Sequence, residues 1–188
     1  MRITGGEYGG RNLTSPTGSD IRPTSDRLRL AIFNMLDARL TMKGAVSADM
    51  FCGTGALGIE TLSRGADLCY FWDQDRRSVA LSQQNITALK VATDRYHIQC
   101  GSALMIGQRP DSKQKIDVVF IDPPYRKDLI SPCVEALING DWLSEDAWLV
   151  IESERGGQVD LASNDKIEEK RLKTNKGTDL GLYQFAAR

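Results

Sequence analysis

Residues 49–58, DMFCGTGALG, decide the fold. The apolar residues Ala45, Val46 and Ala48 that lead into Asp49 read as a buried strand, whereas Leu57, Ile59 and Leu62 open a helical repeat. Between them Gly53, Gly55 and Gly58 make a turn from strand to helix. Glycines there let main-chain N–H groups approach a ligand with no Cβ in the way, at the positive end of a helix. That suits a nucleotide-like cofactor. The Gly-x-Gly-x-x-Gly pattern leaves two open, because Asp73 stands 20 residues after Gly53, the spacing of a ribose-binding carboxylate in dinucleotide sites.

Two features tip the choice. Asp49, four residues before the first glycine, would repel a pyrophosphate and attract a cation. S-adenosylmethionine carries positive charge on its sulfonium and amino groups. The second feature is Ile121-Asp122-Pro123-Pro124-Tyr125, placed after the apolar run at residues 116–121. In this segment the chain resembles the amino-methyltransferases, whose (D/N)PP(Y/F) tetrapeptide follows the fourth strand of a Rossmann-like sheet.

Outward from this centre the pattern alternates. Strands are predicted at 45–50, 68–73, 95–100, 116–121 and 147–152, with helices at 55–64, 76–89 and near 128–138, which means a parallel, doubly wound sheet. An earlier helix starts with Thr24 or Ser25 as N-cap and Asp26 in its first turn. Its stripe is Leu28, Ala31, Ile32, Met35 and Leu36, leaving Arg27, Arg29 and Asn34 outside. Residues 1–14 read as a β-hairpin, 16–23 as a loop, and 166–173 with 180–186 as a terminal antiparallel hairpin. The fold class is therefore α/β, with helices on both faces of the sheet and a hairpin at each end. No linker divides the chain, so one domain is expected over 1–188: an extension at 1–23, then a helix and Rossmann-like core at 24–188.

At 188 residues the chain can bury a sizeable core. It lacks both an apolar run long enough to span a membrane and a signal-like start, so a cytoplasmic protein is expected. Cys52, Cys69, Cys100 and Cys133 are scattered and His97 is the only histidine, a poor metal set that reads instead as free, mostly buried thiols. Trp72, Trp142 and Trp148 read as core and His97 as structural. A net charge of −1 gives no global pull toward nucleic acid, but residues 1–29 and 166–176 are locally basic.

Taken together, MRITGGEYGGRNL, IRPTSDRLRLAIFNML, DMFCGTGALGIETLSRGA, FIDPPY and IESE resemble the bacterial RsmD-type 16S rRNA (guanine-N(2))-methyltransferases along almost the whole chain. The opening hairpin and the Arg-Pro-Thr-x-Asp-Arg segment are the specific parts. The resemblance implies S-adenosylmethionine as donor and a guanine of small-subunit 16S rRNA as acceptor. Because the chain is compact and has no separate RNA-binding domain, it is expected to act as a monomer on 16S rRNA within the small subunit or an assembly intermediate. Cys52, Thr54, Ser102 and Lys176 depart from the family pattern, Ser102 standing where an Asp or Asn receives the adenine amino group.

Roles follow for individual residues. Asp49, Phe51, Gly53, Gly55, Gly58, Asp73, Gln74, Ser102 and Ala103 are the candidate donor-binding set. Asp122 and the Pro123 carbonyl would accept the two hydrogens of the guanine amine, Pro124 would stiffen the turn, and Tyr125 would stack on an extruded base. Arg11, Arg22 and Arg27 are candidates for phosphate contacts. DNA adenine and protein glutamine methyltransferases, or an assembly factor with a defunct site, are the alternatives; the first usually needs a target-recognition domain and the second an added helical domain.

Overall fold

A computed structural model describes residues 1–15, 25–124, 128–155, 161, 165–174 and 177–186. In chain order the elements are α1 (Asp26–Asp37), β1 (Val46–Asp49), α2 (Ala56–Ser63), β2 (Leu68–Asp73), α3 (Arg76–Leu89), β3 (Tyr96–Cys100), β4 (Ile116–Ile121), α4 (Ile130–Asn139), β5 (Leu143–Glu154), β6 (Ile167–Thr174) and β7 (Thr178–Phe185). The strands form one sheet in the order β3-β2-β1-β4-β5-β7-β6. Strands β1 to β5 run parallel, and β7 enters antiparallel between β5 and β6 as the expected terminal hairpin. The chain winds one way from β1 to β3 and then returns to the other side of β1 with β4. Crevices for ligands open at such a reversal, outside the carboxyl ends of the strands.

Strand residues alternate between two cores because their side chains point to opposite faces. Cys69, Phe71, Val118, Phe120, Val150 and Leu182 meet α1, α2, α3 and the apolar residues of the N-terminal segment. Ala48, Tyr70, Trp72, Val119, Ile151 and Tyr183 meet α4 and Trp142. Helices thus cover both faces. Trp72 and Trp142 are core, while Trp148 is only partly buried, with Arg39 over its ring. No helix among the described residues is long and apolar enough to cross a membrane.

The N-terminal hairpin is looser than its sequence suggests. A single bridge, Arg2 to Asn12, and main-chain bonds such as Ile3 N–H to Arg11 (3.0 Å) hold it, with no regular strand. Its reason lies in α2, all eight residues of which are buried. A helix apolar on most sides needs cover on its outer face. The N-terminal segment supplies it: Ile3, Tyr8 and Leu13 enter the core, while buried Glu60 accepts from the Thr4 N–H (2.8 Å), the Thr4 hydroxyl (2.7 Å) and Arg64 Nε (3.0 Å).

Helix α1 departs from the expected stripe. Arg29 does not lie outside it but is fully buried, its Nη2 donating to the Arg2 carbonyl and to Asp26 Oδ1 at 2.6 Å each. The buried line is Arg29, Ile32, Phe33 and Leu36, with Leu28 and Met35 on its flank. The N-terminal segment packs on that side and brings the Arg2 carbonyl, which joins Asp26 of α1 itself as an acceptor for the guanidinium, and this rotates the buried face. Arg27 and Asn34 are exposed as expected, and Ser25 is the N-cap, accepting from the Leu28 N–H.

Candidate active site

Asp49 ends β1 at the reversal point and is buried, 2% exposed. Beyond it the chain ties itself to both neighbours: the Met50 N–H donates to Phe120 of β4 and the Cys52 N–H to Trp72 of β2, each at 3.0 Å. These bonds fix where the glycine turn begins. Gly53 and Gly55 then take positive φ, +52° and +77°, and Gly55 caps α2. Side-chain-bearing residues pay steric energy in that region, which is why glycine stands at both positions.

Gly58 serves a different end from its two predecessors. A Cβ on it would lie 2.4 Å from Phe71 Cε1 and 2.7 Å from Cys69 Sγ, so its bare backbone lets α2 sit against β2. Its N–H donates to Asp49 Oδ2 at 3.0 Å. Of the candidate donor contacts, Gly58 therefore stands behind the others and holds Asp49. Burial, opposed by the Gly58 bond and aided by the charge of Asp73, leaves the Asp49 carboxyl raised to about 7.

Asp73 ends β2 beside the same turn. Its Oδ2 accepts from the Gly53 N–H (3.0 Å) and its Oδ1 from the Asp75 N–H (2.9 Å); each oxygen keeps a second lone pair for a hydroxyl. Asp75, not Asp73, caps α3, accepting from the Arg77 N–H. A cavity of about 80 Å³ opens alongside, lined by Met50, Phe51, Gln74, Ser102, Ala103, Leu104 and Leu129. Four candidates drawn from three separate segments meet there. Ser102 turns its hydroxyl oxygen to the Leu104 N–H (3.2 Å), leaving the O–H free to donate. A larger groove of about 340 Å³ lies under the crossover that follows β3, between Tyr70, Trp72, His97 and Lys113; of the candidates only Ser102 reaches it.

S-adenosylmethionine is a ligand these residues could hold: buried Asp49 has the charge to pair with an ammonium, Asp73 keeps lone pairs for ribose hydroxyls, and the small cavity between Phe51, Gln74, Ser102 and Ala103 offers a place for part of a base.

Asp122 and Pro123 follow β4, the immediate neighbour of β1, so they stand across the reversal from the glycine turn. Asp122 is half-buried, Pro123 buried and Pro124 exposed. Tyr125 and Arg22 lie outside the described residues. Arg27 is exposed on α1, and exposed Arg11 donates from Nη2 to the Ala88 carbonyl at the end of α3 (3.0 Å). His97 is an exposed edge-strand residue stacked on Tyr70, its pKa lowered by partial burial and by Lys113, and takes no place among the acids. Among the described residues no group of three His, Cys, Asp or Glu could hold a metal ion.

Sequence reasoning overlooked Ser82 and Asn85. Both are buried on α3 beneath the turn, Ser82 donating to the Gly53 carbonyl and Asn85 to the Thr54 carbonyl at 2.9 Å each. The signal was there: Ser78, Ser82 and Asn85 share a helix face with Ile86 and Leu89, where apolar residues are expected. Cys52 fills space behind the turn against Ser82, and burial raises its thiol pKa far above the ordinary range.

The family model described as Conserved hypothetical protein 95 matches residues 1–184. The Escherichia coli protein named Ribosomal RNA small subunit methyltransferase D is 35% identical over 82% of this chain and 75% of that one. The chain belongs to the RsmD-type methyltransferase family. Its Haemophilus influenzae relative of the same name is 30% identical over 82% of this chain and 79% of its own. Among solved structures, Escherichia coli yhhF superposes with a TM-score of 0.86 at 31% identity, covering 100% of this chain and 99% of that one. The magnesium protoporphyrin IX methyltransferase of Synechocystis, solved with bound SAM, reaches 0.66 at 18% identity over 86% of this chain and 79% of its own. The RsmD-type chain thus carries the Rossmann-like class I methyltransferase fold.

Proposed function

We propose that this protein transfers a methyl group from S-adenosylmethionine to the exocyclic 2-amino group of a guanine in small-subunit rRNA. One observation supports it above the rest: the glycine turn after β1 and the Asp-Pro-Pro segment after β4 face each other across the sheet reversal, in a chain whose relatives carry small-subunit rRNA methyltransferase names. When bound, the donor supplies an electrophilic methyl on a positively charged sulfur.

The protein's part is to aim a poor nucleophile. The guanine amine has its lone pair delocalised into the ring, and the reaction needs that pair turned toward the methyl. Asp122 and the Pro123 carbonyl accept the two amine hydrogens, which favours a pyramidal nitrogen gaining positive charge. Pro124 limits the turn's freedom, and Tyr125 offers a face for the extruded base. On the donor side Asp49 pairs with the ammonium and Asp73 with the ribose hydroxyls, while Phe51, Gln74, Ser102 and Ala103 enclose the adenine. Holding both partners in line can supply much of the acceleration. Arg11, Arg22 and Arg27 contact phosphates of the RNA, and the enzyme works in the cytoplasm as a monomer on the small subunit or its precursor.

Incubation with labelled donor and either naked 16S rRNA or purified small subunits, followed by nucleoside mass spectrometry, should yield N2-methylguanosine. Asp122→Ala should lose transfer while binding S-adenosylhomocysteine as wild type does. Methyl groups found on adenine, on protein, or on nothing would refute the reading. Mapping rRNA from cells with and without the gene would then locate the guanine.

A further inference from the structure

The glycine turn is held from behind by a residue that also holds the N-terminal segment. Asn85 is 2% exposed, and its amide is shared between two distant stretches of chain. Its Oδ1 accepts from the Thr14 N–H (2.8 Å), and its Nδ2 donates both to the Thr14 carbonyl (3.1 Å) and to the Thr54 carbonyl (2.9 Å). Thr54 lies between the two positive-φ glycines. The same segment reaches it from its other end, since the Thr54 hydroxyl donates to Met1 Sδ at 4.0 Å.

A peptide group is planar, so fixing a carbonyl also fixes the N–H of the next residue. Ser82, by holding the Gly53 carbonyl, turns the Thr54 N–H away from α3 and toward the ligand side. Asn85, by holding the Thr54 carbonyl, sets the Gly55 N–H, which closes the turn onto the Cys52 carbonyl (2.6 Å). Glycines on both sides leave this turn few local restraints of its own. We infer that Asn85 is a positioning residue for donor binding: it couples the docked N-terminal segment to the glycine turn, so that the turn takes its donor-ready shape only while residues 1–14 are in place. The inference rests on residues 49–58 being the donor loop.

Removing the Asn85 side chain strands the Thr14 N–H, the Thr14 carbonyl and the Thr54 carbonyl, and frees the turn. A second latch offers the control. Ser63 also holds the N-terminal segment, its hydroxyl accepting from the Tyr8 N–H (2.9 Å) and donating to the Gly5 carbonyl (2.5 Å), and neither of these bonds reaches the turn.

The experiment is calorimetric titration of S-adenosylhomocysteine into wild type, Asn85→Ala, Asn85→Leu and Ser63→Ala, with a thermal melt of each. Hydrogen exchange over residues 1–14 is followed with and without the ligand. Asn85→Leu keeps the shape of the side chain and brings neither a hydrogen-bonding group nor a charge into the buried site, so it guards against collapse of the alanine variant around a cavity. Both Asn85 variants should bind about tenfold more weakly, equivalent to about 1.4 kcal/mol, and Ser63→Ala within about twofold of wild type. Ligand should slow exchange in residues 1–14 of wild type and of Ser63→Ala, but not of the Asn85 variants. Equal affinity in wild type and the Asn85 variants would overturn the inference. So would losses that follow melting temperature alike in Ser63→Ala and Asn85→Ala. No binding to wild type would instead remove the donor-loop reading, and this inference with it.

Discussion

Asp49 should make donor binding depend on pH across a range in which an ordinary carboxylate is silent. Burial holds its carboxyl at about 7 against an ordinary value of 3.8, with the Gly58 N–H opposing the rise and Asp73 adding to it. At pH 6 only roughly one molecule in ten carries the ionised form that an ammonium needs, so apparent affinity should be about tenfold lower there than well above pH 7. Binding at pH 6 should expel close to one proton per ligand. Titration calorimetry of S-adenosylhomocysteine in two buffers of different ionisation enthalpy counts that proton directly, and Asp49→Asn should release none. The folded chain alone carries a linked signature. Because the folded value lies above the unfolded one, the native state holds the proton between about 4 and 7 while the unfolded chain does not. Stability therefore falls as pH rises through that window, by up to roughly 4 kcal/mol. Asp49→Asn, which keeps an acceptor for Gly58, should be the more stable protein above pH 7. Wild type that released no proton at pH 6 and whose denaturation midpoint did not fall between pH 5 and 7.5 would refute the reasoning.

Gly58→Ala should cost about 1–3 kcal/mol in urea denaturation, since its Cβ would meet the Phe71 ring at 2.4 Å; unchanged stability would mean that α2 is not seated against β2 as described. Glu60→Ala should cost about 3 kcal/mol or more by the same measurement, because it strips the buried acceptor from Thr4 and Arg64, and it should expose residues 1–14 to limited proteolysis. Arg11→Ala should weaken binding to 16S rRNA and lower the slope of log affinity against log salt by about one; an unchanged slope takes Arg11 out of the phosphate contacts.

The order of strands and helices could be read along the chain because periodicity is a local property. A two-residue alternation or a 3.6-residue stripe is complete within one element, and each crossover between parallel strands has one favoured hand. The glycine turn was legible for the same reason. Gly53 and Gly55 sit where φ is positive, and Asp75 caps α3 as a short polar side chain before a helix should. Two limits showed early: the N-terminal hairpin keeps only one bridge, and α1 turns Arg29 inward.

Local pattern along the chain was enough for the alternation that builds the sheet, for the turn after β1, and for the acids that close β1 and β2 and follow β4. Tertiary structure alone decided which polar side chains could be buried, because burying a hydrogen-bonding group requires a partner that local pattern does not name. Glu60 finds Thr4 from 56 residues away and Asn85 finds Thr14 from 71. The same holds for Asp49, whose raised pKa comes from the walls that α2, β2 and β4 build around it rather than from its neighbours in the chain.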